Sequence, residues 1–195
     1  MLYYLKDSNL YLKTVKWNQK RNGLHWDTTL ERKMLQEEFV EFVDAESFVD
    51  RIDAYLDYIF VGIGTETKHL YSGASPEEFS IENEVWGSRY EYMKSLIEPE
   101  SIGELNKIFR IIPYNEREFL TICYKFILEA NETKLEKRAD GKIKKPANFV
   151  PPEKKIKAFL EYMAGQSYKK IKSYDNHLFN YLCADFERIY GAQNV

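Results

Sequence analysis

Hydrophobic and polar positions alternate along this chain with a helical period. In residues 48–64, "FVDRIDAYLDYIFVGIG", the apolar positions spread almost all the way round the helix. Setting Ile52 at zero and advancing about 100° per residue, Phe48, Val49, Tyr55, Leu56, Ile59, Phe60 and Ile63 fill an arc of roughly 140° around it. Asp50, Asp53 and Asp57 form a stripe about 60° wide, and beyond it Ala54, Tyr58 and Val61 are again uncharged. A helix with so little polar surface tends to be buried, and this one carries an acidic seam.

The flanking patterns predict more helices. Leu5, Leu12, Val15 and Trp17 have helical spacing within 3–20, and Gly23 breaks it. A helix is expected over about 28–45, with Asp27 or Thr28 as N-cap. "DAES" is a short turn, Ser47 caps the apolar helix, and Gly62–Gly64 is expected to end it. So short a turn predicts an antiparallel helical hairpin. "GTETKHLYSGASPEEF" is expected as a loop. One or two short helices are expected over 76–98, another over 101–112, and a strong one over 116–132 capped by Asn115. A basic loop with Asp140-Gly141, Pro146, Pro151 and Pro152 leads to a helical tail over about 153–190. The expected architecture is an all-α single domain over 1–195. Its core is about 10–65 and 115–160, with a helical insertion at 66–114 and a tail at 161–195.

Composition narrows this. The 44% hydrophobic content supports a real core, and nine Gly and six Pro disfavour a turn-rich β fold. A net charge of -3 is not a nucleic-acid footprint. Cys123 and Cys183 lie in apolar helical patterns and read as buried free thiols. "MLYYLKDSNLYLKTVKW" is too interrupted by charge for a signal peptide, and no uncharged apolar run is long enough to span a bilayer. A cytoplasmic protein is expected, with no nucleic-acid or membrane partner.

The helix over 28–45 carries acids too. Leu35, Phe39, Val40, Phe42 and Val43 make its apolar arc; Glu38 lies at the margin of that arc and Glu41 about 60° further on. They are neighbours at i,i+3. In an antiparallel hairpin Glu38 and Glu41 face Asp50 and Asp53. Four half-buried carboxylates repel one another and stay ionised only against a cation. Oxygen ligands without Cys or His suit Mg²⁺, with Mn²⁺ as the alternative. A di-iron site needs Glu-x-x-His pairs, and none of His25, His69 and His177 follows a Glu by three. The competing reading is two solvated acidic faces.

Glu37-Glu38-x-x-Glu41 followed by Asp50-x-x-Asp53 resembles the EExxE…ExxD signature of all-α nucleoside triphosphate pyrophosphohydrolases, the MazG-like, dimeric-dUTPase and phosphoribosyl-ATP pyrophosphohydrolase group. "DAYLDYIFVGIGT" and the preceding "VKWNQKRNGL" are similar to its phosphoribosyl-ATP-type and phage MazG-like branch. Here Asp50 stands where the family has Glu, and the spacer is shorter. Asn131, Lys134, Asp140, Gly141, Lys142, Lys145, Pro146, Pro151 and Pro152 match, in order, that branch's N-x-x-K…D-G-K-x-x-K-P…P-P segment. The resemblance covers about 15–65 and 125–153.

It implies a nucleotide pyrophosphohydrolase cleaving a (d)NTP to (d)NMP and pyrophosphate, with dUTP or dCTP the leading substrates and phosphoribosyl-ATP an alternative. Glu38, Glu41, Asp50 and Asp53 would hold Mg²⁺. Glu37 would assist with a second metal or orient the water, and Asp57 would be a ligand or orient one. Asn131, Lys134, Lys142 and Lys145 would contact phosphates or sugar, and Trp17, Asn18 and Arg21 would help form the nucleotide pocket. A homodimer or homotetramer is implied. Trp86, Tyr90 and Tyr92 read as packing aromatics more readily than as base-stacking ones. Two other classes stay open: a non-catalytic nucleotide-binding or regulatory module of the same fold, and a helical interaction protein with surface acids.

Overall fold

The computed structural model describes residues 9–21, 25–72, 87–97, 116–134, 136 and 144–171. Among them the regular structure is all helical. The helices are α1 (Leu10–Arg21), α2 (Thr28–Asp44), α3 (Phe48–Ser72), α4 (87–97), α5 (Glu116–Glu132) and α6 (Pro152–Ile171). The expected elements at 3–8, 76–86, 101–112 and 172–190 lie outside the described residues, as do Trp86, Asp140, Gly141, Lys142, His177 and Cys183. None of the described helices is long and apolar enough to cross a membrane.

Helix α2 starts where its cap signal lies. Asp27 is extended and its Oδ1 accepts the Leu30 amide at 3.1 Å, which satisfies one orphan donor of the first turn. Three residues after α2 ends at Asp44, Ser47 caps α3: its Oγ accepts the Asp50 amide at 3.1 Å and donates to Asp50 Oδ2 at 2.6 Å.

Helix α3 is the centre of the fold, and α1, α2, α5 and α6 all pack on it. Ile52, Tyr55, Leu56, Phe60 and Ile63 are buried in the core, and Ala54 and Tyr58, from the other side of the wheel, are buried as well. Helix α4 reaches it through Tyr90, whose ring stacks on Tyr55 at 6.1 Å, while Tyr92 meets Phe39 of α2. At its start α3 joins a run of aromatic rings, with Phe48 stacked on Phe119 of α5 and Phe119 on Phe159 of α6. Lys155 of α6 pairs with Glu129 of α5 at 2.8 Å on the outside of that contact. These contacts bring the start of α6 beside the seam of α3.

One expected boundary is wrong. Helix α3 does not stop at Gly62–Gly64; it continues through the segment expected as a loop, to Ser72. Gly64 serves packing instead: a Cβ there would stand 2.5 Å from Asn18 Oδ1 of α1. The extra turns bury Thr65, Thr67 and Lys68. Thr65 Oγ1 donates to Glu31 Oε2 at 2.9 Å, and Lys68 pairs with the other oxygen of the same carboxylate.

Candidate functional site

The acidic seam of α3 opens into a pocket of about 400 Å³, within the range of small-molecule sites. Asp50, Asp53 and Asp57 line one wall and Glu41 of α2 joins them. Asn131 and Lys134 come from the end of α5, and Lys145 and Phe149 from the chain leading to α6. The first turn of α6 closes the pocket with Pro152 and Glu153. Pro suits that position, because its missing amide is one the helix would leave unpaired.

Glu38 does not line the pocket but stands close behind it. Burial, then the charges of Asp57, Glu41 and Asp53, push its carboxyl up to about 9 against a partial offset from Lys134. Asp53 is pushed up to about 8 by burial and by Asp57, Glu153, Glu41 and Asp50. Its Oδ1 is buried and meets no hydrogen-bond donor among the described residues. Asp57 is raised less, to about 6: burial and Glu41 raise it, while Lys134 and Lys145 hold it down. Behind Asp53, Cys123 is a fully buried free thiol, and burial first, then the Asp53 charge, pushes it far above its ordinary range.

The cationic side is anchored. Lys134 Nζ donates to Asn131 Oδ1 at 2.7 Å, and Asn131 Nδ2 donates back to the Ile127 carbonyl at 3.0 Å. Burial lowers the Lys134 pKa, against the upward pull of Asp57. Asn131 thus spends both ends of its amide within the protein and orients Lys134.

The sequence-predicted residues separate into groups. Glu41, Asp50, Asp53, Asp57, Asn131, Lys134 and Lys145 come together, with Glu38 behind them. Asp50 is exposed and engaged with Ser47 at the start of α3. Glu37 is half-buried and off the pocket wall. Trp17 and Asn18 do not line the pocket. Trp17 is core, edge-on to Phe60, with its Nε1 donating to the Asn131 carbonyl at 2.9 Å. Asn18 is buried and donates to the Thr14 carbonyl at 3.0 Å. Trp17 therefore supports the site from behind, through the Asn131 backbone. Arg21 ends α1. Tyr90 packs as a core-flanking ring, as its spacing implies.

Two pocket residues carry no sequence expectation: Phe149 and Glu153. Glu153 directly follows the Pro151-Pro152 pair at a helix start, where an acid is ordinary. Phe149 sits among lysines in a turn-rich loop. Only the packing of α6 brings either to the seam.

The donor set is all oxygen, which suits a hard divalent cation. The unmatched Asp53 oxygen and the raised carboxyls fit a missing positive charge. The acids do not form a closed cage: among the described residues no three His, Cys, Asp or Glu side chains are arranged to hold a metal ion. No family model, curated protein or solved structure matches this chain.

Proposed function

We propose that this chain is a Mg²⁺-dependent nucleoside triphosphate pyrophosphohydrolase, cleaving a (d)NTP to (d)NMP and pyrophosphate, with dUTP or dCTP preferred. One observation carries the reading. Five carboxylates (Glu41, Asp50, Asp53, Asp57 and Glu153) face two ammonium groups (Lys134 and Lys145) in one pocket, and the buried Asp53 oxygen among them is unmatched. The resemblance of the acidic and basic segments to all-α pyrophosphohydrolases supplies the reaction class.

In this reading α2 and α3 form an antiparallel metal-binding hairpin. Glu38, Glu41, Asp50 and Asp53 would hold Mg²⁺, with Asp57 beside them. Bound there, the ion would neutralise phosphate oxygens and lower the pKa of a water for in-line attack at the α-phosphorus. Lys134 and Lys145 offset the charge of the departing pyrophosphate. Asn131 keeps Lys134 aimed inward. Burial and the neighbouring acids raise the Glu38 and Asp53 carboxyls, so a cation held there would favour their ionised forms. Glu37, off the pocket wall, has no assigned contact with substrate. The same resemblance supports a homodimer or homotetramer, and Val40 and Val43 leave apolar surface exposed on α2.

A second reading, a nucleotide-binding module without turnover, is favoured by one feature: Asp50 is exposed and already engaged by Ser47. Product analysis after incubation with Mg²⁺ and each common NTP and dNTP separates the two. Monophosphate plus pyrophosphate is the expected result. Diphosphate plus phosphate would overturn attack at the α-phosphorus. Metal-dependent nucleotide binding with no product from these or from phosphoribosyl-ATP would establish the binding module.

A further inference from the structure

Two ammonium groups share one aromatic ring at the pocket wall. Lys134 Nζ stands 5.3 Å from the centroid of Phe149, and Lys145 Nζ 5.1 Å from it. Cations within about 6 Å of a ring centroid are drawn to its negative face. Left to themselves, two lysines on a basic loop would move apart, because like charges repel and ordering long side chains costs entropy. Here they converge from different elements. Lys134 stands just past the end of α5 and is tied to Asn131. Lys145 belongs to the segment before α6, is exposed, and has its ammonium over the ring as well as within reach of the Asp57 charge.

The ring itself is held. The Phe149 amide donates to the Pro146 carbonyl at 3.0 Å, closing a turn, and two prolines follow within three residues, each with φ fixed by its ring. Phe149 is half-buried and lines the pocket opposite the acids. We infer that Phe149 is a positioning residue, whose ring holds the Lys134 and Lys145 ammonium groups side by side as a two-point clamp for adjacent phosphates of a polyphosphate. The clamp selects chains of two or more phosphates over a single phosphate, since one phosphate engages one ammonium well and two linked phosphates engage both. The inference rests on the polyphosphate reading of the pocket.

Calorimetric titration with inorganic tripolyphosphate in the presence of Mg²⁺ tests it. Phe149→Leu is expected to weaken binding about three- to tenfold, and Phe149→Tyr, which keeps the ring, to stay within about twofold of wild type. In a chain already carrying Lys145→Met the Phe149→Leu loss should shrink, since one of the ring's two cations is gone. Circular dichroism confirms folding, and Phe149→Met serves if the leucine variant does not fold. Wild-type affinity in a folded ringless variant, or an undiminished loss in the Lys145→Met background, would overturn the clamp. Failure of the wild type to bind tripolyphosphate would instead overturn the polyphosphate reading, and the clamp with it.

Discussion

Helices α2 and α3 bury carboxylates in two places and treat them in opposite ways. In the first turn of α2, Glu31 is 1% exposed, yet it is matched by Thr65 and by the buried Lys68. Toward the other end of α2, Glu38 and Glu41 stand with Asp53 and Asp57 against lysines that lie outside both helices and are fewer than the acids around them. The same helix pair can therefore supply its own counter-charge where the need is structural. Where it does not, the deficit is available to a ligand. A carboxylate matched within the fold contributes to stability, and an unmatched one costs stability until a cation arrives.

The contrast breaks most sharply by mutation. Glu38→Ala or Asp53→Ala is expected to abolish turnover, a loss of about a thousandfold or more, with the helical circular dichroism signal retained. Wild-type turnover in either would remove the acids from the site. Lys68→Met should do the reverse. It strands the Glu31 charge and destabilises by about 3–5 kcal/mol in denaturant titration, while any rise in melting temperature on adding Mg²⁺ persists.

The pH dependence sharpens the contrast further. Glu38, Asp53 and Asp57 titrate higher folded than their ordinary values of 4.5, 3.8 and 3.8. The folded chain therefore binds more protons than the unfolded one across that range. Their contribution is fully present below the ordinary values and is lost as pH rises through about 6, 8 and 9. Metal-free protein should lose melting temperature steadily over this window. Mg²⁺ should restore it at the alkaline end, and Glu38→Gln should flatten the profile. A smaller effect distinguishes two glycines of α3. Gly64→Ala drives a methyl group into the Asn18 amide and should cost about 1–3 kcal/mol. At Gly62 a Cβ meets nothing within 4 Å, and Gly62→Ala should gain up to about 1 kcal/mol from helix propensity.

Residues that act locally were legible in the sequence. Asp27 and Ser47 announced their helix starts, and the wheel of 48–63 announced a buried helix with an acidic seam. Gly64 misled because a glycine at a helix stop and a glycine at a helix crossing look alike; the difference is Asn18, forty-six residues away. Thr65 and Lys68 read as loop polars because their partner, Glu31, lies on another helix, and Thr67 because its hydroxyl donates to the Ile63 carbonyl one turn back. Trp17 and Asn18 carried family expectations, but their indole and amide are spent on the carbonyls of Asn131 and Thr14. Phe149 and Glu153 were hidden because tertiary packing of α6, and no local pattern, brings them to the seam.

The proposed function requires the acid pocket to bind a divalent cation. Mg²⁺ titration of the wild-type chain at about pH 7.5, with heat measured in two buffers of different ionisation enthalpy, tests it most directly. Saturable binding with release of protons, lost in Asp53→Asn, is the predicted result. Absence of saturable binding, or binding that releases no protons and survives Asp53→Asn, would contradict it.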